Sequence, residues 1–236
     1  MIEKLKWDSN FLGFAVGKYT LSPDEDFQKV LELANSGAFK LVYVFSDTIR
    51  TDPQSLSPID TKVVFSKSIR SQDIDTQIPE SQNTIESKEF DPDRHSYDEI
   101  LNLAISSGDY SRFKTDKNFA GGTQQSLYKA WIDNSINGSI ASNTLVIERK
   151  GQLAGLITLK CTSGSSGHIG LLAVHPDFRG QNIGTSLIND CEIICKKNNA
   201  QTLYVSTQKN NLTALKFYEK NGFFISSETY IYHLWL

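Results

Sequence analysis

The stretch LLAVHPDFRGQNIG, residues 171–184, decides the fold of this chain. It has the pattern of a β-strand that ends at Pro176, continues through a loop rich in Gly and Asn, and leads into a helix. Such a loop presents several unpartnered backbone N–H groups at the positive end of a helix dipole, which suits a phosphate or pyrophosphate. Arg179 opens the loop and can add a charge-assisted contact. The sequence therefore predicts an anion-binding loop, and the loop matches neither the P-loop nor the dinucleotide-binding pattern.

A second segment, NLTALKFYEKNGF at residues 211–223, makes the interpretation of the loop more specific. Asn211, Ala214 and Tyr218 are spaced as i, i+3 and i+7, so a helix would place them on one face. Together the two segments resemble the GNAT superfamily of acyl-CoA N-acyltransferases. In that family a [Q/R]-x-x-G-x-[G/A] loop holds the pyrophosphate of CoA, and a later N-x-x-A-x-x-x-Y…G-F helix lies beside the thioester.

The resemblance implies acetyl-CoA as the co-substrate. Arg179 and Gly184 match the first and last positions of the family loop, whereas Asn182 stands where the family usually has glycine. Asn tolerates a left-handed backbone better than other residues with side chains, so the turn is preserved, although the side chain can crowd the phosphates. The resemblance implies that the following residues contact acetyl-CoA: Leu172, Ala173, Val174, Arg179, Gly180, Gln181, Asn182, Ile183, Gly184, Thr185, Asn211 and Ala214.

Tyr218 is the candidate catalytic residue. A phenol with a pKa of about 10 can protonate a departing thiolate with a pKa of about 8.5 when the two are held together. Spacing alone favours a packing role for a helical tyrosine, and the family match favours catalysis. By the same resemblance, residues 170–174 donate backbone N–H groups to the thioester. Four residues are candidates for the general base: His95, Asp109, Glu148 and His168. Loss of the amine proton through a chain of water molecules fits the family equally well.

Composition places limits on the function. The 236 residues carry a formal net charge of −3 and a pI near 5.8, which argues against nucleic acid or an anionic membrane as the main partner. The three cysteines have no metal-ligand spacing and suit reduced positions, so no metal is expected. Since the N-terminus lacks an apolar signal region, a cytoplasmic location is predicted.

The organisation of the chain is that of an α/β (α+β) protein. Residues 71–83 are polar and are interpreted as a linker between a small N-terminal α/β domain at 1–82 and a GNAT domain at 83–236. Trp7 and Phe11 could line a substrate cleft or lie in the core of the small domain, and the core is favoured. Helices and strands are predicted at 13–21 (strand), 23–35 (helix), 39–45 and 62–69 (strands), 96–106 and 122–137 (helices), 144–148, 153–161 and 168–174 (strands), 182–198 (helix), 202–206 (strand), and 223–227 and 230–236 (strands).

A closer resemblance concerns the acceptor substrate. The segments LKWDSNFLG at 5–13, SRFK at 111–114, YKAWI at 128–132 and IGLL at 169–172 together look like the dTDP-fucosamine acetyltransferases. These bacterial enzymes N-acetylate the 4-amino group of dTDP-4-amino-4,6-dideoxy-D-galactose. The resemblance implies a nucleotide amino sugar as the substrate and Arg112 as a contact for its diphosphate, although Arg112 could equally be a surface residue.

Other readings of the chain remain open. A GNAT enzyme could acetylate a peptide N-terminus, an aminoglycoside or a polyamine, and a domain without activity could sense acyl-CoA. The small N-terminal domain favours a sugar nucleotide, which needs more binding surface than a peptide end. The aromatic strand at 230–236 would allow a homodimer through sheet pairing if its edge is exposed, and a buried strand explains the same pattern.

Overall fold

The structure is a computed structural model that describes residues 1–25, 27–50, 57–69 and 85–236. The chain forms two compact units. The smaller unit contains Met1–Val63, Gln208–Asn210 and Ser227–Leu236, and the larger unit contains Val64–Thr207 and Asn211–Ser226. The linker predicted at 71–83 and the boundary predicted after residue 82 lie outside the described residues. The division into 1–82 and 83–236 therefore stays a prediction.

The smaller unit is built on a short mixed sheet. Its elements are β1 (Glu3–Lys4), α1 (Lys6–Leu12), β2 (Val16–Thr20), α2 (Phe27–Ser36) and β3 (Leu41–Ser46). Strand β2 runs parallel to β3, and β1 runs antiparallel to β2. Helix α2 buries Phe27, Val30 and Ala34, which share one helical face, in a core with residues of β2 and β3.

Two expectations for this unit are wrong. The helix predicted from residue 23 begins only at Phe27, because Ser22 N–H and the Tyr19 hydroxyl both donate to the Glu25 carboxylate and hold the preceding residues in a turn. Trp7 and Phe11 do not lie in the core. They occupy α1, which was not predicted, and their rings stack at 5.2 Å while Trp7 stays 46% exposed.

The larger unit contains the elements that follow β4 (Asp60–Ser68), a strand that contributes residues to both units. They are β5 (Lys88–Glu89), α3 (Tyr97–Ser107), α4 (Arg112–Thr115), α5 (Thr123–Ile136), β6 (Asn143–Arg149), β7 (Gln152–Cys161), β8 (Ser166–Val174), α6 (Ile183–Lys197), β9 (Thr202–Gln208) and α7 (Leu212–Lys220). The sheet order from β4 is β4-β9-β8-β7-β6-β5. Strands β5 to β8 pair antiparallel, and β8 and β9 pair parallel. The predicted order of α3, α5, β6, β7, β8, α6, β9 and α7 is confirmed, whereas the short elements β5 and α4 were not predicted.

Helix α6 packs tightly against β7. The sequence places Ile183, Leu187, Cys191 and Ile194 at i, i+4, i+8 and i+11, which predicts one apolar face; the first three are buried and Ile194 is half-buried. A Cβ at Gly155 of β7 would lie 2.6 Å from Ile183 Cγ2 and 3.0 Å from Leu187 Cδ1. The absence of a side chain at Gly155 therefore allows the first turn of α6 to approach the sheet.

The chain ends in one long strand, β10 (Phe224–Trp235), where two strands were predicted. Glu228 and Thr229 lie between the two predicted strands, and neither is a Gly or a Pro that would break an extended backbone, so the strand continues. Tyr230–Trp235 pairs antiparallel with β3, and on the other side Ile59 N–H donates to Ile231 O. Because this segment is paired and largely buried, it offers no free edge for the sheet-mediated homodimer.

Within the described residues, no helix is both long enough and apolar enough to cross a membrane. In the same part of the chain, no group of three or more His, Cys, Asp or Glu side chains could hold a metal ion.

Candidate functional site

The connection between β8 and α6 is anchored at both ends. After β8, residues Pro176–Phe178 form a 3-10 turn, and Asp177 N–H donates to Nδ1 of His175 at 3.3 Å. Phe178 is buried beneath the turn and fixes it. Arg179 is exposed, and its Nε donates to Val174 O at 3.3 Å. The guanidinium is therefore held near the end of β8, where the sequence predicted it.

Helix α6 begins without a capping side chain. Asn182 is the N-cap and has φ +61°, which confirms that asparagine takes the left-handed backbone here. Its side chain makes no capping hydrogen bond, and the first intrahelical bond runs from Ser186 N–H to Asn182 O. The N–H groups of Ile183, Gly184 and Thr185 have no acceptor within the helix by geometry. An anion at this helix start would satisfy them and would also favour the positive end of the dipole.

The predicted loop residues differ in accessibility. Those from Arg179 to Asn182 are exposed, whereas Ile183 and Gly184 are buried. A Cβ at Gly184 would lie 2.9 Å from Phe217 Cζ and 3.5 Å from Val174 Cγ2. Gly184 is thus explained by the close approach of α6 to α7 and β8. Any contact that it makes with a cofactor stays a prediction.

Strand β8 has an open edge near this loop. Its parallel pairing with β9 runs from Ser166 opposite Thr202 to Ile169 opposite Val205 and stops there. On the other side, β7 still pairs with β8 as far as Val174, opposite Gly155. Within the described residues, the edge of residues 170–174 that faces away from β7 therefore has no strand partner. Leu172, Ala173 and Val174 lie on this segment, where a bound molecule could take the place of a strand.

Helix α7 carries Tyr218. Asn211 is the N-cap of α7, and its Oδ1 accepts from Ala214 N–H at 3.1 Å, so both residues have a structural role at the helix start. Tyr218 is only 5% exposed. Its ring centroid lies 5.5 Å from that of Phe65, 5.5 Å from that of Phe217 and 5.8 Å from that of Phe223.

Burial among these rings raises the pKa of the Tyr218 phenol above its usual value of 10.0. The cause is loss of hydration, which disfavours the phenolate. Tyr218 therefore keeps its proton at neutral pH and can donate it, which is the property that a general acid needs.

The other predicted residues are distributed over the larger unit. Arg112 begins α4, half-buried, with its guanidinium carbon 4.6 Å from the centre of the Phe113 ring. Its assignment as a substrate contact stays a prediction. Among the four candidates for the base, Asp109 is paired with Lys114 at 2.5 Å, and Glu148 lies 3.8 Å from the buried His95. His168 lies in the lining of a pocket.

This pocket, of about 290 Å³, lies between α5, β7 and β8. Residues of these three elements contribute to its lining: Trp131, Ser135, Thr158, Lys160, His168 and Gly170. Lys160 and His168 are among the lining residues, and no Asp or Glu of the described residues is. The pocket adjoins the open edge of β8, because both include Gly170. Sequence reasoning missed it, since its residues come from three separate segments.

Comparison with known proteins agrees with this geometry. Residues 110–223 match the model of the acetyltransferase (GNAT) family. The matched segment contains the open edge of β8, the loop, α6 and α7. A tandem GNAT protein from the clavulanic acid biosynthesis pathway has a similar fold, with a TM-score of 0.54 at 13% identity over 91% of this chain and 71% of that chain.

Two curated bacterial proteins are similar in sequence. Spore coat polysaccharide biosynthesis protein SpsD of Bacillus subtilis is 26% identical over 144 residues, which is 61% of this chain and 49% of that protein. The dTDP-fucosamine acetyltransferase of Escherichia coli is 27% identical over 132 residues, which is 56% of each chain. The chain thus spans about half the length of these relatives.

Proposed function

Because residues 110–223 are a GNAT acetyltransferase domain, we propose that the protein transfers the acetyl group of acetyl-CoA to the 4-amino group of a dTDP-linked 4-amino-4,6-dideoxyhexose. The reaction takes place in the cytoplasm and supplies an N-acetylated sugar nucleotide for cell-surface polysaccharide. The observation that carries the acetyl-transfer part is the combination of an open β8 edge with an uncapped α6 start.

The co-substrate fits these two features. The pyrophosphate of CoA accepts from the N–H groups at the start of α6, with Arg179 as an additional positive charge. The pantetheine chain then runs along residues 170–174 and pairs with the backbone that β9 leaves free. This arrangement brings the thioester toward Gly170 and away from the loop.

The chemical step follows from these positions. The uncharged amine attacks the thioester carbonyl, a C–N bond forms, and the carbonyl oxygen becomes an oxyanion that backbone N–H groups of β8 stabilise. The tetrahedral intermediate collapses with cleavage of the C–S bond. Tyr218 gives its proton to the leaving thiolate, and the nitrogen that attacked loses one proton to solvent to give the neutral amide. Solvent then returns a proton to the tyrosinate.

The acceptor class is supported by the relatives and by the pocket. Two similar proteins carry names from sugar metabolism, at 26% and 27% identity. The pocket beside Gly170 is lined by the basic residue Lys160 and, within the described residues, by no Asp or Glu. A polyamine or an aminoglycoside carries several positive charges and would favour an acidic lining, whereas a nucleotide amino sugar carries a negatively charged diphosphate.

The test is thiol release from acetyl-CoA with a panel of amines. The panel contains dTDP-4-amino-4,6-dideoxy-D-galactose, its gluco epimer, their UDP analogues, a peptide with a free N-terminus, an aminoglycoside and spermidine. Turnover of one nucleotide sugar, well above the others, is the expected result. Turnover of the peptide or a polycation instead would overturn the acceptor assignment, and binding of acetyl-CoA without turnover would favour an acyl-CoA sensor.

A further inference from the structure

The pocket between α5, β7 and β8 has the chemistry of a site for a phosphorylated ligand. Lys160 is exposed at the pocket, and no ion pair joins its ammonium group to another described residue. We propose that this pocket receives the phosphate-bearing end of the acceptor and that Lys160 selects amines linked to a nucleotide diphosphate. This inference rests on the proposed function, since it places the acceptor beside β8, the strand along which acetyl-CoA is proposed to bind.

The spacing along β8 supports the assignment. Lys160 lies opposite His168 in the pairing of β7 with β8, and Gly170, where the open edge begins, is two residues further toward the loop. Two residues of a strand span about 7 Å. In a 4-amino hexose with a phosphate on C1, the amine and the phosphorus lie on opposite sides of the ring at a similar separation. An acceptor with its phosphate at Lys160 therefore presents its amine at the open edge.

The walls of the pocket are held in place by contacts within the protein. The Trp131 ring packs edge to face on Tyr128 at 4.9 Å, and Ser135 Oγ donates to Trp131 O at 2.8 Å. The His168 ring stacks on Tyr204 at 5.1 Å with its Nε2 2.9 Å from Ser166 Oγ. The indole of Trp131 thus offers a fixed apolar surface to the sugar ring, while Lys160 supplies a charge on a flexible stem.

The experiment measures binding of dTDP to the full chain by calorimetry, because dTDP carries the phosphates and lacks the amine. Lys160→Ala should weaken dTDP binding about tenfold, as expected for loss of one charge-assisted hydrogen bond. Lys197→Ala is the matched control, since Lys197 is also exposed but lies at the end of α6. Acetyl-CoA affinity should be the same in both variants and in the wild type.

Kinetics give a second readout that a purely structural role would not reproduce. With the nucleotide amino sugar, Lys160→Ala should raise the acceptor KM about tenfold and leave kcat unchanged. With the free amino sugar, which has no phosphate, the KM should be the same in variant and wild type. In addition, the nucleotide amino sugar should change the tryptophan fluorescence of the wild type, and Trp131→Phe should abolish that change.

The outcomes separate this inference from the proposed function. Equal dTDP affinity in the wild type and Lys160→Ala, or an unchanged acceptor KM with normal turnover, would overturn the role of Lys160 and leave the acetyltransferase assignment standing. Conversely, dTDP binding that depends on Lys160, without turnover of any nucleotide amino sugar, would support the pocket and overturn the proposed reaction.

Discussion

Replacing Tyr218 with Phe removes a single hydroxyl group from the centre of the candidate site. The aromatic ring keeps its neighbours, because the ring centroids of Phe65, Phe217 and Phe223 lie 5.5, 5.5 and 5.8 Å from the Tyr218 centroid. The variant therefore separates the chemical role of the phenol from its role in packing.

We expect kcat to fall about 100-fold, which is at the lower end of the range for general acid catalysis. The lower end is chosen because burial raises the pKa of the Tyr218 phenol and makes it a weaker acid than a phenol in water. The KM for acetyl-CoA should not change, because the proton is transferred only as the C–S bond breaks.

Stability at neutral pH should change little. Loss of hydration is the cause of the raised pKa of Tyr218. The hydroxyl is nevertheless not among the fully buried oxygens of the described residues that lack a hydrogen-bond partner, so it keeps contact with solvent. Tyr218→Phe should therefore change the free energy of unfolding at pH 8 by less than about 0.5 kcal/mol.

The pH dependence gives a further signature. Because the folded-state pKa of Tyr218 lies above the unfolded value of 10.0, the stability linked to its proton is complete below pH 10 and is lost as the pH rises toward the folded pKa. Tyr218→Phe lacks this titration. The stability difference between variant and wild type should therefore grow above pH 10, by at most about 1.4 kcal/mol per pH unit.

The assays are thiol release at saturating substrates and urea unfolding at pH 8 and above pH 10. Tyr110→Phe serves as the control, since Tyr110 is 45% exposed and should leave both measurements unchanged. A kcat within twofold of the wild type would refute the role of Tyr218 as proton donor. A change in the free energy of unfolding at pH 8 of more than about 1 kcal/mol would refute the stability reasoning.

Three other predictions concern the loop and the thiols. Arg179→Ala should raise the KM for acetyl-CoA about fivefold, as expected for the loss of one exposed charge pair. The control variant Arg149→Ala should not change this KM. A KM of Arg179→Ala equal to that of the wild type would assign pyrophosphate binding to the backbone alone. Asn182→Gly should lower the KM for acetyl-CoA, because glycine also accepts φ +61° and removes a side chain near the phosphates; a higher KM would assign the amide a favourable contact. Burial raises the pKa of the Cys195 thiol to about 12. Iodoacetamide at pH 8 should therefore alkylate the partly exposed Cys161 first. Mass spectrometry of the native protein that shows Cys195 modified first would contradict this.

The sequence predicted the loop and its flanking elements because their signals are local. The left-handed residue at 182, the buried stripe of Ile183 and Leu187, and the break at Pro176 each depend on a few neighbouring residues. The family match then supplied the order of strands and helices. Local signals of this kind are sufficient for the part of the chain between β6 and α7.

The errors come from contacts that local sequence patterns do not contain. The start of α2 depends on Tyr19, which binds Glu25 from β2, and no helix-start pattern contains that information. The continuity of β10 depends on its pairing with β3. The pocket at Lys160 depends on α5, β7 and β8 meeting, and the open edge of β8 depends on where β9 stops pairing. Such features require the assembled sheet.

The proposed arrangement gives β8 a single mechanical role, which is to separate two anionic substrates while aligning their reactive ends. On this proposal the pyrophosphate of CoA binds beyond Val174 and the acceptor phosphate binds beside His168, six residues away along the strand. Six strand residues span about 20 Å, which exceeds the screening length of about 8 Å at physiological ionic strength. Repulsion between the two phosphates is then weak. Each phosphate also meets a positive group, although the net charge of the protein is −3. The thioester and the amine meet between them at Gly170, where the pairing with β9 has ended and one edge of the strand is open within the described residues.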